Sequence, residues 1–214
     1  HNLEVPECLK SLKVADISIA PFKINTSLKS NIINIAQKYS YNPSLIAALI
    51  AQESSFNPTA LSIAKALGLT QVTPVAHREI ARVKEDWEIY PEFGELSILN
   101  LKFRLKNQLI HSGNDWRLDQ SKSIEGGIIY LDYLARYWEN QEKQKLLSRV
   151  FKQDVPMTDI LLASYNSGAY RVRKAIERNE KEWLFDETLN EARKYVMNIK
   201  SYCYSFNQGG DHEE

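Results

Sequence analysis

Asn42-Pro43 and Asn57-Pro58 bracket a segment that leaves the chain little conformational choice: Ser44-Leu45-Ile46-Ala47-Ala48-Leu49-Ile50-Ala51-Gln52-Glu53-Ser54. Asn42 is a good N-cap, and Pro43 suits the first helical position, where a missing N–H costs nothing. The helix should end near Ser54, because the residue before Pro58 is pushed out of the helical region. Leu45, Ile46, Leu49 and Ile50 are too apolar for water, so other elements must enclose them. One carboxylate, Glu53, stands at the end of this run. Burial favours the protonated form of such a group, which suits a general acid.

Helical periodicity continues through most of the remaining sequence. Ser27 can cap a helix to about Tyr39, with Ile32, Ile35, Ala36 and Tyr39 on one face. Residues 60–73 read as a loop around Gly68, and Thr73-Pro74 repeats the cap-and-proline start for a helix to about Val83. Further helices are predicted at 95–111, 121–138, 141–152, 157–166, 169–179 and 188–204, with turn chemistry at Gly113-Asn114-Asp115. There is no internal repeat and no strand pattern, so the fold class is all-α. Residues 1–26 read as an extended arm on the body, 27–207 as the body, and the polar stretch 208–214 as a mobile tail.

Composition excludes several classes. Lys+Arg and Asp+Glu both total 27, which argues against nucleic acid as the main partner. No apolar run approaches the ~20 residues of a membrane span. A basic, apolar leader with small residues at its end is also lacking, so a secretion signal is expected to have been removed or never present. His1, His77, His111 and His212 are scattered without metal-ligand spacing, and no nucleotide loop is present. No metal and no cofactor are expected.

Four separated segments carry the chemistry. They are Glu53-Ser54-Ser55-Phe56-Asn57-Pro58, Gly68-Leu69-Thr70-Gln71-Val72-Thr73-Pro74, Ser123-Ile124-Glu125-Gly126-Gly127-Ile128-Ile129-Tyr130-Leu131, and Ala163-Ser164-Tyr165-Asn166-Ser167-Gly168. Tyr195-Val196 follows them. In this order they closely resemble the soluble lytic transglycosylase (SLT) domain of the goose-type lysozyme superfamily. That family runs E-S-x-F-N-P, G-L-M-Q-x-x-P, N-I-x-x-G-x-x-Y-L, A-Y-N-x-G and a final Y-V.

The resemblance implies a lysozyme-like helical domain with a substrate cleft, acting on peptidoglycan at β-1,4 bonds between N-acetylmuramic acid and N-acetylglucosamine. Glu53 matches the family's single catalytic acid, and no carboxylate nucleophile is needed where the substrate's acetamide stabilises the cationic centre. Ser54, Thr70, Gln71, Tyr165, Asn166 and Tyr195 match substrate-binding positions. Taken alone, Ser54 reads as a helix-end residue bonding its own backbone, Gln71 as a loop anchor and Tyr195 as core. One rival is a muramidase in which water attacks with help from Asp115, Asp119, Glu125, Asp132 or Asp159. Another is a non-catalytic wall-binding module. The implied setting is periplasmic or secreted, with a monomer expected. There Cys8 and Cys203 would form a disulfide, the alternative being two unpaired core thiols.

Departures from the family pattern fall at three positions. Thr70 stands where methionine is usual, Ser123 where asparagine is, and Lys65 in a stretch that often holds glycine and alanine. They put subsite preference in doubt and admit a deacetylated glycan as substrate. Residues 84–122 are longer than a minimal domain requires. Their Trp87, Tyr90, Phe93 and Trp116 read either as an added cleft wall for stacking sugars or as a satellite helical pair.

Overall fold

The computed structural model describes residues 17–207. Most of the expected arm, the whole of the expected tail and Cys8 of the expected Cys8–Cys203 pair lie outside the described residues. Among the described residues the chain forms nine α-helices and no sheet, as the periodicity predicts. They belong to two units, one reaching to Ile129 and resuming at Tyr202, the other Tyr130–Ser201.

The first unit is organised around α2, Pro43–Ser54, after α1, Thr26–Lys38. The Asn42 side chain accepts the Ser44 N–H at 2.9 Å, and α2 starts where the cap and proline place it. Nine consecutive residues, Pro43 to Ala51, are buried, so α2 is enclosed on all sides. Twelve residues are too few for a helix to hold in water alone, so packing stabilises it. Each fully buried leucine or isoleucine contributes about 1.5–3 kcal/mol. Ser55 and Phe56 then adopt left-handed backbone (φ 50° and 62°), turning the chain so that Phe56 packs edge-on against Phe22 at 5.1 Å.

Two helix starts differ from expectation. α1 is capped by Asn25, whose side chain accepts the Leu28 N–H at 2.7 Å, and Ser27 lies inside its first turn. The helix predicted over 95–111 is shorter: α4 spans Ile98–Lys106, with Ser97 accepting the Asn100 N–H at 3.2 Å. Left-handed Gln108, φ 58°, stops its continuation. α3, Pro74–Ala81, begins at its predicted cap, where Thr73 accepts the Ala76 N–H at 3.1 Å.

Residues 84–122 supply a core of their own. Phe93, Leu101, Ile110 and Leu118 bury against Leu67 of the 60–73 loop. Trp87, Phe93 and Trp116 are buried, with Trp87 and Trp116 4.9 Å apart. These three rings are packed rather than free faces for stacking sugars, while Tyr90 is half-buried. The stretch holds one α-helix and the short turn Trp116–Leu118 rather than a helical pair. α5, Gln120–Glu139, follows directly.

The second unit holds the end of α5, α6 (Gln141–Phe151), α7 (Met157–Ser167), α8 (Ala169–Asn179) and α9 (Asn190–Asn207) up to Ser201. Trp138 is fully buried and donates its indole N–H to the Ser164 hydroxyl at 3.0 Å. That hydroxyl in turn donates to the Ile160 carbonyl at 2.6 Å. Val172, Ala175 and Ile176 form the buried face of α8, whose other side is strongly charged. Buried Asp186 accepts from Arg178 at 2.9 Å and Asn179 at 2.8 Å, closing the turn before α9.

Candidate active site

In the first unit the site is built from the end of α2 and the 60–73 loop. Glu53 lies in the last turn of α2 and is partly exposed, immediately after the enclosed stretch. Its neighbour Ser54 ties the helix end to the loop. The Ser54 hydroxyl donates to the Leu69 carbonyl at 2.8 Å and sits 3.1 Å from the Ile50 carbonyl. Both contacts commit that hydroxyl to backbone.

Gln71 takes left-handed backbone, φ 50°. Its amide nitrogen donates to the Ala60 carbonyl at 2.9 Å and the Gly68 carbonyl at 3.0 Å. The loop is further pinned by paired backbone bonds between Leu67 and Val72, at 3.1 and 3.2 Å. Lys65 reaches across to donate to the Gly94 carbonyl at 2.5 Å, so the unusual lysine couples this loop to residues 84–122.

Thr70, expected at the substrate, lies inside the protein. It is fully buried, its hydroxyl donating to the Ser123 carbonyl at 2.7 Å. A Cβ on Gly127 would come within 2.7 Å of the Thr70 methyl, so glycine is what lets the loop sit this close to α5. Gly68 is constrained equally tightly: its φ is +85°, and a Cβ there would overlap the Arg117 carbonyl.

Arg117 escaped the sequence reading. Its side chain is fully buried, its Nε and Nη2 donating to the two Asp115 carboxylate oxygens at 2.9 and 2.7 Å. The guanidinium lies 4.0 Å from the Phe93 ring centroid. Asp115 also accepts the Tyr90 and Arg117 backbone N–H groups, each at 3.1 Å. The only hint in the sequence is a charge pair two residues apart among aromatics, which carries no signal of depth.

Of the carboxylates weighed as a second catalytic acid, Asp115 is thus consumed by Arg117. Asp119 caps α5, accepting the Lys122 N–H at 2.8 Å. Glu125 accepts from Tyr39 at 2.5 Å, Lys38 at 3.1 Å and Lys84 at 3.2 Å. Burial raises its pKa, but those donors together outweigh burial and hold the carboxyl below its ordinary range. In the second unit Asp159 pairs with Lys200 at 3.0 Å. Among the described residues no group of three or more His, Cys, Asp or Glu is placed to hold a metal.

Also in the second unit, Tyr165 is half-buried on α7, its ring edge-on to Tyr130 at 5.3 Å, and Tyr130 stacks on Tyr133 at 5.8 Å. Asn166 is exposed and accepts from the Ser167 hydroxyl at 3.0 Å. Tyr195 is only 4% exposed, so its ring packs into the core, as the residue taken alone suggests.

Comparison with known proteins converges on one family. Residues 30–91 match the model of the transglycosylase SLT domain. The membrane-bound lytic murein transglycosylase C of Mannheimia succiniciproducens is 27% identical over 146 residues, covering 68% of this chain and 32% of that protein. Its counterpart from Haemophilus influenzae is 28% identical over the same shares. The chain thus spans about a third of the length of these relatives. Among solved structures, the lytic transglycosylase Slt of Pseudomonas aeruginosa aligns with a TM-score of 0.56 at 20% identity, covering 90% of this chain and 25% of that one. The 70 kDa soluble lytic transglycosylase of Escherichia coli aligns at 0.54 and 22%, covering 86% and 24%. These two share the fold of this chain.

Proposed function

We propose that this chain, which carries a transglycosylase SLT domain of the lysozyme-like superfamily and is related at low identity to lytic murein transglycosylases, cleaves the β-1,4 bond between N-acetylmuramic acid and N-acetylglucosamine in peptidoglycan. The observation that carries this is the position of Glu53. It lies within the segment that matches the family model, at the end of a helix whose preceding residues are buried, beside a loop held by Ser54 and Gln71. We take 27–207 as one catalytic domain working in the periplasm or outside the cell.

In this reading Glu53 acts twice. As general acid it gives its proton to the glycosidic oxygen while the bond from that oxygen to C1 of the muramic sugar breaks. The acetamide oxygen of the same sugar supports the cationic carbon. As base, the Glu53 carboxylate then takes the proton of the 6-hydroxyl, whose oxygen attacks C1 and closes a 1,6-anhydro ring. The proton balance closes on one residue and no water is consumed. Proton transfer of this kind contributes about 10²–10⁴ in rate. The engagement of Asp115, Asp119, Glu125 and Asp159 in caps and ion pairs supports this over a muramidase that uses any of those four. Tyr165 and Asn166 keep a glycan-contact role on the strength of their motif, and both retain exposed surface.

Mass spectrometry of digested sacculi tests the proposal. Anhydro-ended fragments that vanish with Glu53→Gln are the expected result. Reducing ends would make the chain a hydrolase, and absence of any release would make it a binding module.

A further inference from the structure

Within the second unit, α6 and α8 flank a groove of about 410 Å³. Lys143, Lys145 and Arg149 line it from α6 and Arg173 from α8, with Glu142 and Glu177 the acidic members. The chain as a whole is neutral, so this is a local surplus of positive charge. The surplus is larger than the lining suggests. Glu177 is already occupied by Lys174, which stands outside the groove lining and donates to it at 2.7 Å, and it lies 3.4 Å from Arg173.

Two features distinguish this groove from an ordinary charged helix face. Among the described residues Lys145 and Arg149 make no hydrogen bond or ion pair, so their donors are uncommitted. The Arg173 Nε is buried and lies 3.4 Å from a Glu177 carboxylate oxygen, an ion pair without hydrogen-bond geometry. An arriving oxyanion would supply the aligned hydrogen bond that Glu177 does not make. Guanidinium groups present forked donors that match the two oxygens of a carboxylate or phosphate.

We propose that the α6–α8 groove binds an oxyanion bearing two or more negative charges, with Arg149 and Arg173 as its principal donors and Lys145 as an added point charge. The ligand class is a polycarboxylate or a polyphosphate group. The site is separate from the chemistry assigned to Glu53 and stands whether or not that assignment does.

Isothermal titration calorimetry on the full chain at low salt tests it, with citrate and pyrophosphate as probes. Saturable binding that weakens as salt rises is expected. Arg149→Ala and Arg173→Lys should each lower affinity by about tenfold or more. Lys102→Ala, on exposed α4 surface, should leave affinity unchanged. Tighter citrate binding identifies a carboxylate ligand, and tighter pyrophosphate binding a phosphate one. Failure of both probes to saturate, or equal affinity in Arg149→Ala and Arg173→Lys chains that keep their helical circular dichroism, overturns the proposal.

Discussion

The Thr70 hydroxyl donates to the Ser123 carbonyl at 2.7 Å, with both side chains buried. These are two of the positions at which the chain departs from the SLT motifs, and the departures meet in space. A short β-branched side chain on the loop faces α5 at Ser123 and Gly127, so close that a Cβ on Gly127 would come within 2.7 Å of its methyl.

Thr70→Val keeps the shape and removes the hydrogen bond, so a loss of about 1 kcal/mol is expected. Thr70→Met, the family's usual residue, should cost about 1–3 kcal/mol here through overpacking against Gly127. Urea denaturation of the two variants checks this. A methionine variant as stable as the parent would show that the Gly127 contact relaxes freely.

Gly68→Ala combines a strained backbone with a collision at the Arg117 carbonyl. A loss of about 3 kcal/mol or more is expected, summing overpacking and the positive φ. Thermal unfolding reads the loss. Glycan release should fall with it, because the same loop accepts the Ser54 hydroxyl.

Asp115→Ala leaves the Arg117 guanidinium buried and unpaired, which should cost about 3–5 kcal/mol. Combining it with Arg117→Met should recover much of that loss, since the desolvated charge then goes too. Arg117→Lys is no substitute, as an ammonium cannot fork onto both Asp115 oxygens. A double-mutant cycle in guanidinium chloride measures the coupling.

His77 gives the fold a pH dependence. Its Nδ1 accepts the Trp116 indole N–H at 3.1 Å, so the proton of the neutral ring sits on Nε2. Burial first, and Arg117 second, lower its pKa from 6.5, with Asp115 opposing. Between the lowered folded value and 6.5 the unfolded chain binds a proton that the folded chain does not. The stability tied to His77 is therefore complete above that range and is lost as pH falls through it. Denaturation midpoints measured across this range should flatten in His77→Phe relative to the parent.

Much of the helical layout was legible in short stretches of sequence. Asn42-Pro43 and Thr73-Pro74 begin helices because a cap and a fixed φ act within one turn. The two-residue shift of α1 came from the same chemistry, with Asn25 rather than Ser27 in the capping position. The early stop of α4 depends on Gln108 adopting left-handed backbone, which no pattern of apolar residues announces.

For the site, the sequence by itself determined that Glu53 would close an apolar helix, since periodicity and the flanking prolines are local properties. Only the tertiary structure decided what the other motif residues do. Thr70 became an internal strut and Tyr195 a core ring, while the Ser54 hydroxyl went to the Leu69 carbonyl. The physical reason is distance along the chain: Gly68 must be glycine because of a carbonyl at Arg117, and Thr70 is enclosed because α5 passes over it. Such constraints arise when remote segments compete for the same volume, and a linear pattern holds no record of that competition.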